Sequence, residues 1–347
     1  MYYQTKNPHG GDIYASPVAL DYSANTNPLG VPPAVLAAAS AALEKADRYP
    51  DPYCRALVKA IAAYEGVKPE TILCGNGASG LIFSFCAAAR PGKAAALAPT
   101  FSEYASSLVL FGGETVLYPL RQENGFLPDG DFLDWLRAEQ PETVFLCNPN
   151  NPTGRLFPQK LIMDVLTLCK QMKSRLFVDE CFLELSHGGE SLKGFLQDFP
   201  GLFILRAFTK SYGMAGLRLG YCLSADSALL TRMAELTPPW DVSAPAQAAG
   251  RAALGEAGFL RRAVELIDRE RPRLKAALEA MGLYVCPSDV NYLLFRGPET
   301  LLGDLRSRGI ALRDCANFPG LGPGWYRMAV RTENENDRFL AVMRECV

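Results

Sequence analysis

The apolar positions change their period part-way along the chain. Before about residue 70 they recur at helical spacing. Pro32 and Pro33 open an alanine-rich stretch that predicts a helix to about Ala46. Arg48-Tyr49-Pro50-Asp51-Pro52 breaks it, and a second helix is expected from about Tyr53 to Tyr64. From residue 71 short β-branched or apolar runs take over, at 71–74, 94–98, 115–118, 143–147, 175–178, 202–206 and 218–223. Helix-length stretches lie between several of them, notably 79–89, 102–111 and 158–173. This alternation predicts an α/β fold with a mainly parallel seven-stranded sheet covered by helices. In such sheets ligands bind beyond the carboxyl ends of the strands.

Pro238-Pro239-Trp240-Asp241 marks the best domain boundary. Beyond it the periodicity predicts helices at about 244–254 and 259–281, then a small α+β unit with strands near 283–286, 291–296, 310–313 and 326–330. Helices are expected there near 299–308 and 333–345. The first 30 residues are dense in turn-formers and should run as an ordered arm or loop. The expected division is an arm and helix at 1–48 packing on the small domain, a large domain at 49–240, and the long helix with the small domain at 241–347.

Composition narrows the function by exclusion. With 347 residues, 49% of them hydrophobic, the chain can bury a large core. A net charge of −2 supplies no global field toward nucleic acid or an anionic membrane. No apolar run approaches the roughly 18 residues a span needs, and Met1-Tyr2-Tyr3-Gln4-Thr5-Lys6 lacks the apolar core of a signal peptide. Ten scattered cysteines with no CxxC, and only two histidines, argue against a metal site and for reduced thiols in a cytoplasmic protein.

The most informative stretch is Phe208-Thr209-Lys210-Ser211-Tyr212-Gly213-Met214-Ala215-Gly216-Leu217-Arg218-Leu219-Gly220-Tyr221. Its one lysine has only Arg206 and Arg218 as nearby charges. A cationic, partly dry setting lowers an amine's pKa and makes it nucleophilic enough for a Schiff base. Read without context, it is equally a lysine whose stem packs on apolar surface. Gly75-Asn76-Gly77-Ala78-Ser79-Gly80 follows a strand and opens a helix, which suits a phosphate or an ordinary β–α turn. Asn148-Pro149-Asn150-Asn151-Pro152-Thr153-Gly154 aims polar amides out of a strand end. Asp179 ends a buried strand, where a carboxylate commonly caps the next turn.

Together these motifs resemble the aminotransferase class I/II superfamily of fold-type-I pyridoxal phosphate (PLP) enzymes, over essentially the whole chain. The resemblance implies PLP as cofactor, bonded to Lys210, with Arg218, Thr209, Gly77, Ala78 and Ser79 around its phosphate. It implies Phe101 stacked on the pyridine ring, Asn151 donating to the phenolic oxygen and Asp179 paired with the protonated ring nitrogen. Tyr49 matches a tyrosine that reaches the phosphate in the neighbouring subunit, which implies a homodimer with shared active sites. Arg327 matches the ligand of the substrate carboxylate, and Arg313 that of a distal phosphate. Two departures bear on activity: Phe182 stands where transaminases carry a tyrosine, and Ala207 where many relatives carry a hydroxyl.

Within the superfamily the chain resembles the histidinol-phosphate aminotransferase group, and there the threonine-phosphate decarboxylases of the cobalamin pathway. His9-Gly10-Gly11, Ser23-Ala24-Asn25-Thr26-Asn27-Pro28-Leu29-Gly30, Asp179-Glu180-Cys181-Phe182 and Arg313-Asp314-Cys315-Ala316-Asn317-Phe318 carry that likeness. It implies a small phosphorylated amino-acid substrate, its carboxylate held by Arg327 and the loop from Asn25 to Gly30, its phosphate by His9 and Arg313. His9 reads equally as an exposed loop residue. Transamination, and PLP binding without turnover, are the alternative expectations.

Overall fold

The computed structural model describes residues 9–14 and 18–347. The rest of the expected arm, residues 1–8 and 15–17, lies outside the described residues.

The central sheet has seven strands in the order Ile72–Gly75, Gly220–Ser224, Leu202–Ala207, Arg175–Asp179, Thr143–Cys147, Lys93–Ala98 and Glu114–Pro119. All neighbours run parallel except Gly220–Ser224, which is antiparallel to both of its partners. The inner strands are mostly apolar and buried because both faces are covered. Val144, Leu146, Leu176, Val178, Leu202 and Ile204 point into one layer. The residues between them, Phe145, Phe177 and Phe203, meet Phe85 of the helix Gly77–Ala89 in the other. That period of two is the pleat itself.

The small unit is an antiparallel sheet ordered Arg313–Asp314, Trp325–Ala329, Tyr292–Arg296, Tyr284–Val285. Its core draws Leu274 and Leu278 from the long helix Phe259–Ala280 and Phe339 and Met343 from the last helix Glu333–Cys346. The strand expected at 310–313 divides in two. Ile310–Ala311 pairs in parallel with Leu20–Asp21, whereas Arg313–Asp314 pairs with Trp325–Ala329. Leu312 is the step between two partners, so one predicted strand serves two sheets.

The helix Pro33–Ala42 packs on Ala244–Leu254, and Leu20–Asp21 pairs with Ile310–Ala311 of the small unit. One further expectation is corrected. The run expected as a strand from 218 begins at Gly220, because Arg218 has a left-handed φ of 57° that takes it off the sheet.

The early chain is also tied to the lysine turn. Asn27 donates its backbone N–H to the Lys210 carbonyl at 3.1 Å and its side-chain amide to the Ser211 carbonyl at 2.7 Å. Gly30 then passes Gly213 so closely that a Cβ on Gly213 would stand 2.7 Å from the Gly30 carbonyl oxygen. Gly213 has φ +66°, so a side chain there is strained by backbone and by neighbour alike. Gly213→Ala is expected to cost about 2–5 kcal/mol in chemical denaturation. Gly216→Ala, where a Cβ meets nothing within 4 Å, should stay within about 0.5 kcal/mol. Equal midpoints for the two variants would refute this account of the crossing.

Candidate active site

At the carboxyl ends of the parallel strands lies a cavity of about 450 Å³, roofed by the early chain and the small sheet. Its walls include His9, Asn25, Ala78, Ser79, Phe101, Asn151, Asp179, Thr209, Lys210, Arg218, Arg313 and Arg327. So twelve of the fifteen side chains or glycines named from the sequence converge on one space. Gly77 sits just behind it, against the Arg218 guanidinium. Gly30 contributes to the strap beneath the lysine rather than to the cavity wall. Tyr49 is elsewhere: it is 77% exposed and stacks on Trp240 at 4.3 Å.

Each side chain arrives there for a local reason. The strand Leu202–Ala207 delivers Lys210 through the short helix Phe208–Ser211, and the amine lies 5.6 Å from the centre of the Phe182 ring. Burial, with the positive charge of Arg327 second, lowers the Lys210 pKa to about 8. Asp179 ends its strand and is buried. Its Oδ1 accepts the Cys181 backbone N–H at 2.9 Å and its Oδ2 the Tyr104 hydroxyl at 2.6 Å.

The helix Gly77–Ala89 points its first N–H groups at the cavity. Gly220 lets it approach: a Cβ there would fall 2.8 Å from the Ala78 nitrogen. Any side chain on Gly77 would meet the Arg218 guanidinium at 2.5 Å. Arg218 itself is exposed along its flank and donates to the Ala215 carbonyl at 3.3 Å.

Arg327 and Arg313 stand directly opposite each other on paired antiparallel strands, and both are buried. Arg327 donates to Asn151 Oδ1 and, at 3.0 Å, to the Ser23 carbonyl. Asn151 thereby keeps its NH₂ for the cavity. Arg313 donates to the Asp314 carbonyl and to Asn317 Oδ1 at 2.8 Å, over the Phe318 ring. Burial lowers both arginine pKa values from their ordinary level. Arg327 Nε and both polar atoms of the Asn25 amide are buried without a hydrogen-bond partner. Such orphans carry a desolvation cost unless a ligand meets them. His9 holds Glu103 at 2.8 Å, beside Phe101. Arg331 lies past the end of its strand, 4.0 Å from Glu335, and does not line the cavity.

The donor set fits a flat, phosphate-bearing aromatic aldehyde. Lys210 offers a desolvated amine, Asp179 a carboxylate for a protonated ring nitrogen, Asn151 an N–H for a phenolic oxygen, and Arg218 with the helix start a phosphate seat. Phe101 supplies a ring on the wall. Sequence reasoning missed Tyr104, Glu103 and the Ser23 carbonyl. Tyr104 carries one faint signal, a hydroxyl three residues beyond Phe101 in an otherwise apolar core position. The other two are visible only in space. Among the described residues there is no cluster able to hold a metal ion and no helix long and apolar enough to cross a membrane.

Comparison with known proteins agrees with the geometry. The family model for aminotransferase class I and II matches residues 18–343. Threonine-phosphate decarboxylase of Salmonella typhimurium is 35% identical, covering 97% of this chain and 95% of its own. Histidinol-phosphate aminotransferase of Symbiobacterium thermophilum is 32% identical over 92% of this chain and 88% of its own. The crystal structure of histidinol-phosphate aminotransferase from Sinorhizobium meliloti in complex with pyridoxal-5'-phosphate has a TM-score of 0.85 at 25% identity, over 95% of this chain and 92% of that one.

The lysine's lowered pKa makes a pH prediction. Only the neutral amine attacks an aldehyde, and at a pKa of about 8 roughly a tenth is neutral at pH 7, against fewer than about one in a thousand at 10.5. Capture of PLP by the apoprotein, followed by absorbance, should therefore speed up with pH and level off above about 8. Arg327→Gln removes a positive neighbour and should move that midpoint upward. A rate still climbing toward 10.5 in the unaltered protein would contradict the desolvated setting.

Proposed function

We propose that this chain, which belongs to the aminotransferase class I and II family and is a PLP-dependent enzyme, decarboxylates O-phospho-L-threonine to aminopropanol phosphate. The observation that carries the reading is the pair of cross-strand arginines, Arg313 opposite Arg327, both buried in the wall of one cavity with Lys210. Like charges opposite each other on paired strands repel. A substrate bearing two anions a few atoms apart answers both of them. Phosphothreonine has a carboxylate and a phosphate at that spacing, whereas histidinol phosphate has the phosphate alone. The identity to the Salmonella decarboxylase supports the same branch.

PLP, when bound, supplies an electron sink for the pair left at Cα as a bond there breaks. The chain's own residues decide which bond that is. Arg327 and the unpartnered Asn25 amide suit the carboxylate, and a bidentate grip fixes its direction. Arg313 suits the phosphate, with His9 next to it on the cavity wall. Two fixed anions leave the substrate little rotation, so the Cα–carboxyl bond is the one aligned for cleavage. Carbon dioxide leaves, and Lys210 Nζ delivers the proton that takes its place on Cα. Asp179 holds the ring nitrogen protonated. Phe182 presents hydrocarbon where a tyrosine would offer a hydroxyl, so the phenolic oxygen relies on Asn151.

A cytoplasmic homodimer in a cobalamin pathway accords with this reading. All ten cysteines are free thiols, as a reducing compartment allows. Tyr49 and Trp240 stack as an exposed aromatic pair that a second copy can cover.

Purified, PLP-loaded protein should release carbon dioxide from O-phospho-L-threonine and make no glutamate from histidinol phosphate with 2-oxoglutarate. Glutamate without carbon dioxide would overturn the assignment. Arg313→Ala should raise the KM for phosphothreonine by about 100-fold and lower kcat by about tenfold, because the phosphate grip both binds the substrate and aligns its Cα–carboxyl bond.

A further inference from the structure

Tyr104 connects two parts of the cavity wall that come from different elements. It lies in the first turn of the helix Glu103–Leu110 and is buried to 1% exposure. Its ring stacks flat on Phe145 at 5.1 Å and meets Phe101 edge-on at 5.7 Å. Its hydroxyl reaches across to Asp179 Oδ2 at 2.6 Å, the length of a charge-assisted O–H···O⁻ bond. The aromatic on the cavity wall and the carboxylate at its base are thus held by one residue.

We infer that Tyr104 is a positioning residue for the electron sink: its hydroxyl holds the Asp179 carboxylate in place, turned toward the ring nitrogen. The inference rests on the seat for PLP proposed above. A buried carboxylate is oriented by the donors it accepts from. Among the described residues Asp179 accepts from the Cys181 N–H and the Tyr104 O–H, with the Cys181 thiol as a weaker third donor. The other groups facing this corner do not replace the hydroxyl. The Cys147 thiol is engaged with the Pro149 carbonyl and the Tyr292 hydroxyl with the Asn150 carbonyl. The Cys181 thiol is a weaker S–H donor to Asp179 and cannot replace a hydroxyl, Lys210 is reserved for the cofactor, and Arg327 is engaged with Asn151 and Ser23. The phenol stays a donor, since burial, with the Asp179 charge second, pushes its own ionisation far up.

Tyr104→Phe separates the hydroxyl from the packing, because both ring contacts survive. In the holoenzyme an Asp179 no longer held in place would pair with the ring nitrogen less well, and the cofactor–lysine linkage would then keep its own proton to higher pH. The absorption band of the bound cofactor should titrate about one unit higher than in the unaltered protein. The decarboxylation kcat should fall about tenfold with KM within about twofold. Tyr104→His, an aromatic with a donor, should recover at least half of the spectral shift, and covers the case that the phenylalanine variant folds poorly. Asp179→Asn is the control and should shift the band further in the same direction. If Asp179→Asn shifts the band and Tyr104→Phe does not, the inference about Tyr104 is wrong. If neither shifts it, the pairing of Asp179 with the ring nitrogen fails as well.

Discussion

A desolvated ammonium facing a buried guanidinium is unfavourable, and the site is built around that conflict. Lys210 and Arg327 share one cavity, with Arg313 directly across the strand pair from Arg327. Asp179 offsets the lysine, while Asp314 and Asp21 offset Arg313 and Arg327. Like charges left free would move apart, so something must hold them together. The frame does this from two sides. The parallel sheet pins Lys210 and Asp179 at the ends of neighbouring strands, and the antiparallel sheet pins the arginines. The outcome is a positive cleft with a nucleophilic amine at its centre, a setting that draws anions and lowers an amine's pKa in one stroke.

The two sheets meet through the early chain. Tyr22 donates to Asn336 in the small unit, Ser23 accepts from Arg327, and Asn27 binds the backbone of the lysine turn. Within six residues the same segment touches Arg327 and the lysine turn. Asn25, lying between those contacts, is left with both amide atoms unmet in a buried position. A segment fastened on either side of an orphaned amide cannot swing that amide away. Its desolvation cost is therefore held ready for a ligand rather than relaxed.

Much of the fold was legible because a sheet buried on both faces writes itself as short apolar runs. Seven such runs were expected and seven strands form, most within a residue or two at each end. Motifs at strand ends were legible for the same reason: Asp179, the Asn148–Gly154 turn and Gly77 each follow an apolar run, and strand ends on one edge of a parallel sheet must lie together. Arg218 was misplaced as a strand residue because nothing local announces a left-handed φ at an arginine.

Local sequence, then, determined the elements, the polarity of the sheet edge and the residue types available for chemistry, since those depend on periodicity and on short-range turn geometry. Partnership across the chain belonged to the tertiary structure alone. That Tyr104 bonds Asp179, that Arg313 faces Arg327, and that Leu312 hands the chain from one sheet to another are consequences of register between segments far apart in sequence. Register is chosen by how whole faces pack, and no short stretch of residues contains that information.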